Sequence, residues 1–179
     1  MINAQTHFYL GDGRGKTSIL NGSLLRAVGN NLKVAYVRFL KNWPTGEINI
    51  IKNKFKSEID LFDFYNSSTK FTNQINEEEL KTLKKEVENG INVLINLISS
   101  NQYDLILIDE LFGCYDAKLI SKNKLIKLLQ LDHKNTELMF SGHSIDYEFF
   151  KYADLISIVS AEKHYYNTKK LLARKGIEF

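Results

Sequence analysis

The sequence predicts an α/β fold in which helices cover both faces of a central, mostly parallel β-sheet. Short apolar runs alternate with amphipathic segments along the chain, which is typical of repeated strand–helix units. Residues 33–40 are almost continuously apolar, as strands of a buried parallel sheet are. A glycine-rich turn joins the first apolar run to the first amphipathic segment. A length of 179 residues fits one domain, which we expect to span residues 1–179.

The spacing of apolar residues assigns the elements in chain order. The predicted strands cover residues 6–10, 33–40, 59–64, 103–108, 137–140 and 155–159. The predicted helices cover residues 16–29, 77–99, 119–131 and 145–152, the last of them capped by Ser144. The helix at 77–99 is the clearest, because its apolar residues recur at three- and four-residue spacing and three glutamates lie in its first turn. We interpret residues 41–47 and 65–75 as loops and residues 163–179 as a basic tail.

Composition limits the classes of function. The 24 basic and 21 acidic residues give a net charge of +3, which is too balanced to indicate a nucleic-acid-binding protein. The one cysteine, Cys114, excludes an internal disulfide and fits a reducing cytosol, and we assign it a packing role. No apolar run approaches the roughly 20 residues that span a bilayer, and the N-terminal residues lack the layout of a signal peptide. We therefore expect a cytoplasmic protein without a nucleic-acid or membrane partner.

The glycine-rich turn has the composition of a loop that binds the phosphates of a nucleotide. We call it the phosphate loop, and its sequence is Gly11-Asp12-Gly13-Arg14-Gly15-Lys16-Thr17-Ser18. Its glycines let backbone N–H groups converge on an anion, and the N-terminus of the following helix adds further N–H groups. Lys16 would supply positive charge to the phosphates, and Thr17 a hydroxyl ligand for Mg²⁺. The usual pattern has a glycine six residues before the lysine, where this chain has Leu10.

A pair of carboxylates ends the strand predicted at 103–108. Mg²⁺ prefers oxygen ligands, and one or two carboxylates suffice when phosphate oxygens and waters complete its shell. Because parallel strands end at the same edge of a sheet, we expect Asp109 or Glu110 to lie near Thr17. The same reasoning brings Ser141-Gly142-His143 to this edge, either as a ligand contact or as a plain turn. Residues 163–166 mix cations with aromatic residues, and two interpretations remain open. The segment is either a solvated tail or a contact to phosphate or to a flat ligand.

Together these motifs resemble the P-loop type of ATP:corrinoid adenosyltransferase, which has a RecA-like P-loop fold. The resemblance extends over nearly the whole chain. Beyond the phosphate loop it rests on Arg26-Ala27-Val28-Gly29, Phe39-Leu40-Lys41, Trp43-Pro44-Thr45-Gly46-Glu47, Leu107-Ile108-Asp109-Glu110, Ser141-Gly142-His143, Ala153-Asp154-Leu155, Lys163-His164 and Gly176-Ile177-Glu178-Phe179. The order and spacing of these segments are far more specific than a phosphate loop alone.

The resemblance implies a reaction in which a Co(I) corrinoid attacks the 5′-carbon of ATP and expels triphosphate. It also implies an ATP molecule held in reverse in the phosphate loop, and Leu10 belongs with that variant. The implied catalytic residues are Lys16 and Glu110. The implied binding residues are Gly11, Asp12, Gly13, Arg14, Gly15, Lys16, Thr17, Ser18, Phe71, His143 and His164, and Thr17, Asp109 and Glu110 would hold Mg²⁺ or Mn²⁺. A homodimer and a reduced flavoprotein as electron donor are the implied partners.

The chain departs from the family pattern on the corrin side. The family's Gly-Phe-x-Trp segment corresponds by position to Ser68-Thr69-Lys70-Phe71, which keeps one aromatic residue. Two other functions remain open at this point. A P-loop ATPase or small-molecule kinase would release ADP instead of triphosphate. A non-catalytic nucleotide or corrinoid sensor would bind both ligands without turnover.

Overall fold

Six parallel strands form a sheet with the order β3-β2-β4-β5-β1-β6. The computed structural model describes residues 4–41, 43–65 and 75–179. The strands are β1 (Thr6–Leu10), β2 (Val34–Phe39), β3 (Ile59–Phe64), β4 (Leu105–Asp109), β5 (Glu137–Ser141) and β6 (Leu155–Ile158). All six predicted strands are present, each within two residues of its predicted bounds, and every pairing is parallel. The α/β prediction is confirmed.

Six α-helices and a 3₁₀ helix accompany the sheet in the described ranges. They are α1 (Lys16–Val28), α2 (Gly46–Lys54), α3 (Glu77–Ser100), α4 (Leu111–Asp116), α5 (Lys122–Leu129), the 3₁₀ helix Tyr147–Tyr152, and α6 (Tyr165–Lys169). The predictions for α1 and α3 are confirmed. In α3, the Asn76 side chain accepts a hydrogen bond from the Glu79 N–H, and the Glu79 carboxylate accepts one from the Asn76 N–H.

Several helix predictions were wrong, and each error has a local cause. No helix was predicted at residues 46–54, where α2 lies, and the loop predicted at 41–47 overlaps its first two residues. Helix α2 buries just Ile48 and Ile51, so its apolar pattern is short. The helix predicted at 119–131 begins only at residue 122, where the Ser121 hydroxyl accepts a hydrogen bond from the Lys124 N–H. Ser144 does not cap the next helix, since its hydroxyl donates to the Asp116 carboxylate at 3.2 Å.

Helices on both faces of the sheet bury two apolar clusters. Strand β4 contributes to both, because Ile106 and Ile108 face one cluster and Leu105 and Leu107 face the other. The larger cluster is formed with α3, α4 and α5, and the smaller one with α1 and α2. This double burial explains why the central strands read as continuous apolar runs. Among the helices in the described ranges, none has the length and apolarity required to cross a membrane.

Candidate active site

The phosphate loop lies at the carboxyl edge of the sheet, packed against the chain that leaves β6. The Gly13 N–H donates to the Val159 carbonyl at 2.8 Å, and a Cβ added to Gly11 or Gly13 would lie 2.2 or 2.7 Å from that oxygen. Gly15 has open space around it but a φ of +119°, which L side chains rarely adopt. Leu10, at the position of the usual glycine, is buried in the larger core cluster. The phosphate loop therefore begins at the packed end of β1. Gly11 and Gly13 are required because the loop lies close to the Val159 carbonyl, and Gly15 is required for its backbone conformation.

Lys16 is held over the phosphate loop by two carbonyl groups. Its ammonium donates to the Gly11 carbonyl at 2.7 Å and to the Gly13 carbonyl at 2.8 Å. The side chain lines a cleft of about 550 Å³. The residues that line this cleft are Gly13, Arg14, Gly15, Lys16, Thr17, Ser18, Lys41, Gly46, Glu47, Ile50, Glu110, Gly176, Ile177, Glu178 and Phe179, together with Asn21. A polyanion in the cleft would meet a cation that is already fixed at the loop.

Asp109 lies beside Thr17, as the sequence predicts for one of the two carboxylates. The Thr17 hydroxyl donates to the Asp109 carboxylate, with Oγ1 3.2 Å from Oδ2. Asp109 is fully buried, and its carboxylate also accepts hydrogen bonds from the Ser141 hydroxyl and, at 3.5 Å, from the Tyr36 hydroxyl. Burial and the charge of Asp109 raise the pKa of Tyr36 well above its usual value, so this phenol remains a donor. Asp109 is consequently fixed in one orientation at the end of β4.

Lys41 is a site residue that the predicted site residues did not include. Its ammonium lies 3.2 Å from Thr17 Oγ1, 3.6 Å from Asp109 Oδ2 and 3.9 Å from Glu110 Oε1. A positive charge therefore sits among the three oxygen donors predicted to hold a metal ion. Hard oxygen donors of this kind suit Mg²⁺. In the described part of the chain, no group of three or more His, Cys, Asp or Glu side chains converges, so a metal here would also need phosphate or water ligands.

Glu110 stands at the start of α4 with a positive φ of 62°. Its N–H donates to the Ser141 hydroxyl at 3.2 Å, and its side chain lines the cleft. The pKa of the Glu110 carboxyl is raised, mainly because the side chain is buried. The nearby Lys41 ammonium opposes this rise, and the negative charge of Asp109 adds to it. Glu110 thus takes up a proton at a higher pH than an ordinary glutamate does.

Not every predicted binding residue reaches the cleft. Gly11, Asp12, His143 and His164 are not among the described residues that line it, and Phe71 lies outside the described residues. His143 is exposed, and its carbonyl accepts a hydrogen bond from the Gly11 N–H at 2.8 Å. His164 caps α6, where its Nδ1 accepts from the Tyr166 N–H at 3.0 Å. In these contacts the two histidines support the backbone around the site.

Residues 176–179, which the sequence placed in a basic tail, form part of the cleft wall. The chain returns from β6 through α6 and brings Gly176, Ile177, Glu178 and Phe179 opposite the phosphate loop. Glu47 and Ile50 of α2 line the cleft as well. The sequence signal for residues 176–179 was their part in the family resemblance, since their own spacing predicts no ligand contact.

We expect the thiol of Cys114 to be unreactive in the folded protein. Cys114 is fully buried, and burial together with the charge of Glu110 raises its pKa far above that of a free thiol. Ellman's reagent at pH 8 should therefore label no thiol in the native chain and one thiol after denaturation, because the sequence contains one cysteine. Rapid labelling of the native chain would contradict the packing role of Cys114.

Comparisons with known proteins match this sequence to one family and to several of its members. The family model for ATP:corrinoid adenosyltransferase BtuR/CobO/CobP matches residues 3–179. The corrinoid adenosyltransferase of Escherichia coli (strain K12) is 25% identical over 173 residues, which cover 96% of this chain and 83% of that protein. The corrinoid adenosyltransferase CobA of Salmonella typhimurium is 25% identical over 174 residues, with the same two coverages. The corrinoid adenosyltransferase of Pseudomonas aeruginosa is 22% identical over 169 residues, covering 94% of this chain and 80% of that protein.

Proposed function

The chain belongs to the ATP:corrinoid adenosyltransferase BtuR/CobO/CobP family, and we propose that it transfers the 5′-deoxyadenosyl group of ATP to a Co(I) corrinoid in adenosylcobalamin synthesis or salvage. In this reaction the electron pair of Co(I) forms a cobalt–carbon bond to C5′. The C5′–O bond breaks, and its electron pair leaves with triphosphate. The observation that carries the proposal is the cleft in which Lys16, Thr17 and Glu110 converge, with buried Asp109 hydrogen-bonded to Thr17.

The residues of the cleft suit a reaction whose nucleophile is supplied by the substrate. The one thiol of the chain, Cys114, is buried and resists ionisation, so it is unsuited to attack. What the protein must supply is alignment of the two substrates and stabilisation of the charge that develops on triphosphate. The Lys16 ammonium fits this task, because the Gly11 and Gly13 carbonyls hold it in place before the reaction begins.

We propose that Thr17 and Asp109, assisted by Glu110, hold Mg²⁺ or Mn²⁺. The support is the donor set itself, which already attracts the ammonium of Lys41. Such a metal ion would neutralise part of the triphosphate charge. Metal ion and ammonium would compete for the same three oxygens, so Lys41 has to release them when a metal binds. The raised pKa of Glu110 then implies that metal affinity falls as pH decreases through that pKa.

On the corrin side the proposal rests on the sequence correspondence. Phe71 would contact the corrin ring, and His143 and His164 would contact the substrates near the carboxyl edge of the sheet. His143 is exposed directly beside the phosphate loop, which supports a position near the reacting atoms. A reduced flavoprotein would provide the electrons that generate Co(I), and the active unit would be a homodimer in the cytoplasm.

One assay separates this function from its alternatives. The protein is incubated with Mg-ATP and chemically reduced cobalamin, the corrin spectrum is followed, and the phosphate product is identified. A new cobalt–carbon bond with stoichiometric triphosphate is the expected result. ADP and phosphate without alkylation of cobalt would instead indicate an ATPase or a small-molecule kinase. Binding of both ligands without turnover would indicate a sensor.

A further inference from the structure

Arg14, in the middle of the phosphate loop, is bound by residues from the far end of the chain. Its Nη1 donates to the Tyr165 hydroxyl at 2.7 Å and lies 2.9 Å from Glu178 Oε1. Its Nη2 donates to the Ile177 carbonyl at 2.5 Å. These contacts join the phosphate loop to residues 176–179, which form the opposite wall of the cleft.

Glu178 is the centre of this connection. Its carboxylate accepts hydrogen bonds from the Tyr165 hydroxyl and from the Arg174 N–H, the latter at 2.7 Å. The Arg174 guanidinium adds contacts of 3.2 Å from Nε and 3.1 Å from Nη2. These hydrogen bonds, with the charge of Arg14 as a smaller cause, lower the pKa of Glu178 to about 2. Glu178 is therefore ionised at any pH at which the protein would work.

The charges of this group favour an anion in the cleft. A lone carboxylate in the wall would repel triphosphate, but two guanidinium groups contact Glu178 and leave the group with a net positive charge. Both guanidinium groups also lie over the Tyr165 ring, with Cζ 6.0 Å from its centroid for Arg14 and 5.3 Å for Arg174. The three charged side chains and the tyrosine thus form one assembly around the Arg14 side chain.

We propose that Glu178 is a positioning residue of the ATP site, which holds Arg14 so that this arginine contacts the triphosphate. An arginine has five N–H donors, and contacts to Tyr165, Ile177 and Glu178 can occupy three of them. Two donors remain for phosphate oxygens, on a side chain that lines the cleft. A flexible arginine would have to be ordered when ATP binds, whereas one held by Glu178 is ordered beforehand. The inference rests on the proposed function, because it assigns the cleft to ATP.

A double-mutant cycle between Glu178 and Arg14 tests this role. Dissociation constants for Mg-ATP and for inorganic tripolyphosphate are measured by titration calorimetry, without corrinoid. We expect Glu178→Gln to weaken the binding of both ligands about tenfold. In an Arg14→Ala background, the same substitution should have no further effect, because Glu178 acts through Arg14. Glu178→Asp keeps the charge and should lose less affinity, which supplies a second variant if the glutamine variant does not fold.

Glu148→Gln is the matched control, since Glu148 is a half-exposed glutamate paired with Lys122 at 2.5 Å and is not part of the cleft wall. It should bind both ligands as the unaltered chain does. Unchanged binding by Glu178→Gln and Glu178→Asp, or an undiminished effect of Glu178→Gln in the Arg14→Ala background, would overturn the inference. If the unaltered chain transfers adenosyl groups while the cycle shows no coupling, only this inference fails. If the unaltered chain binds no Mg-ATP, both the inference and the proposed function fail.

Discussion

Replacement of Lys16 by alanine is expected to lower the rate of adenosyl transfer by on the order of 10²- to 10³-fold. The Lys16 ammonium is held by the Gly11 and Gly13 carbonyls at the wall of the cleft, so it is in place when charge develops on the leaving triphosphate. The measurement is the rate of cobalt–carbon bond formation at saturating Mg-ATP and reduced cobalamin. The loss should appear mainly in kcat, because this interaction strengthens as the leaving charge grows.

Lys122→Ala is the control for this substitution. Lys122 is a half-exposed lysine at the start of α5 that pairs with Glu148, and it does not line the cleft. Its removal should leave the transfer rate unchanged. A Lys16→Ala variant with near-normal turnover would contradict the role assigned to the phosphate loop.

The sequence predicted the parts of the fold that local patterns encode. Strands such as β2 and β4 are buried on both faces, so their apolar runs are unmistakable, and α3 repeats its apolar spacing over 24 residues. Helix α4 escaped prediction because its six residues make fewer than two turns, too few for a helical period to be recognised. Helix α2 buries two isoleucines, which is a weak signal on its own.

The sequence predicted the contiguous motifs of the site and the sheet edge at which they meet, but it did not predict the individual contacts that Lys41 and Arg14 make with distant segments. Residues 11–18 and the pair Asp109 and Glu110 could be recognised from spacing. Lys41 reaches Asp109 only because β2 pairs with β4, and Ser141 does so only because β5 pairs with β4 on its other side. Strand order is set by packing of the whole sheet and has no local signature. The contact between Arg14 and Glu178 likewise depends on how the chain returns after β6.

Asp109→Asn is expected to reduce adenosyl transfer on the order of 10²-fold at low Mg²⁺ concentration. The change removes the one fully buried carboxylate of the site while keeping its size, so the Thr17 hydroxyl and the Lys41 ammonium lose the negative charge that holds them. The Ser141 hydroxyl can rotate to accept a hydrogen bond from the new amide, so we expect the fold to persist and the far-UV circular dichroism spectrum to be unchanged.

The dependence on metal concentration distinguishes a ligand from a merely structural carboxylate. If Asp109 helps to bind Mg²⁺, the substitution weakens metal affinity, and raising Mg²⁺ should restore part of the transfer rate. A structural defect would lower the rate equally at every Mg²⁺ concentration. Asp132→Asn is the matched control, because Asp132 accepts a hydrogen bond from the Lys134 N–H at 3.0 Å in an exposed turn and is not one of the residues that line the cleft. Since Thr17, Glu110 and the phosphate oxygens remain available, some metal-dependent activity should survive in Asp109→Asn, and an unaltered Mg²⁺ dependence would assign the metal to other ligands.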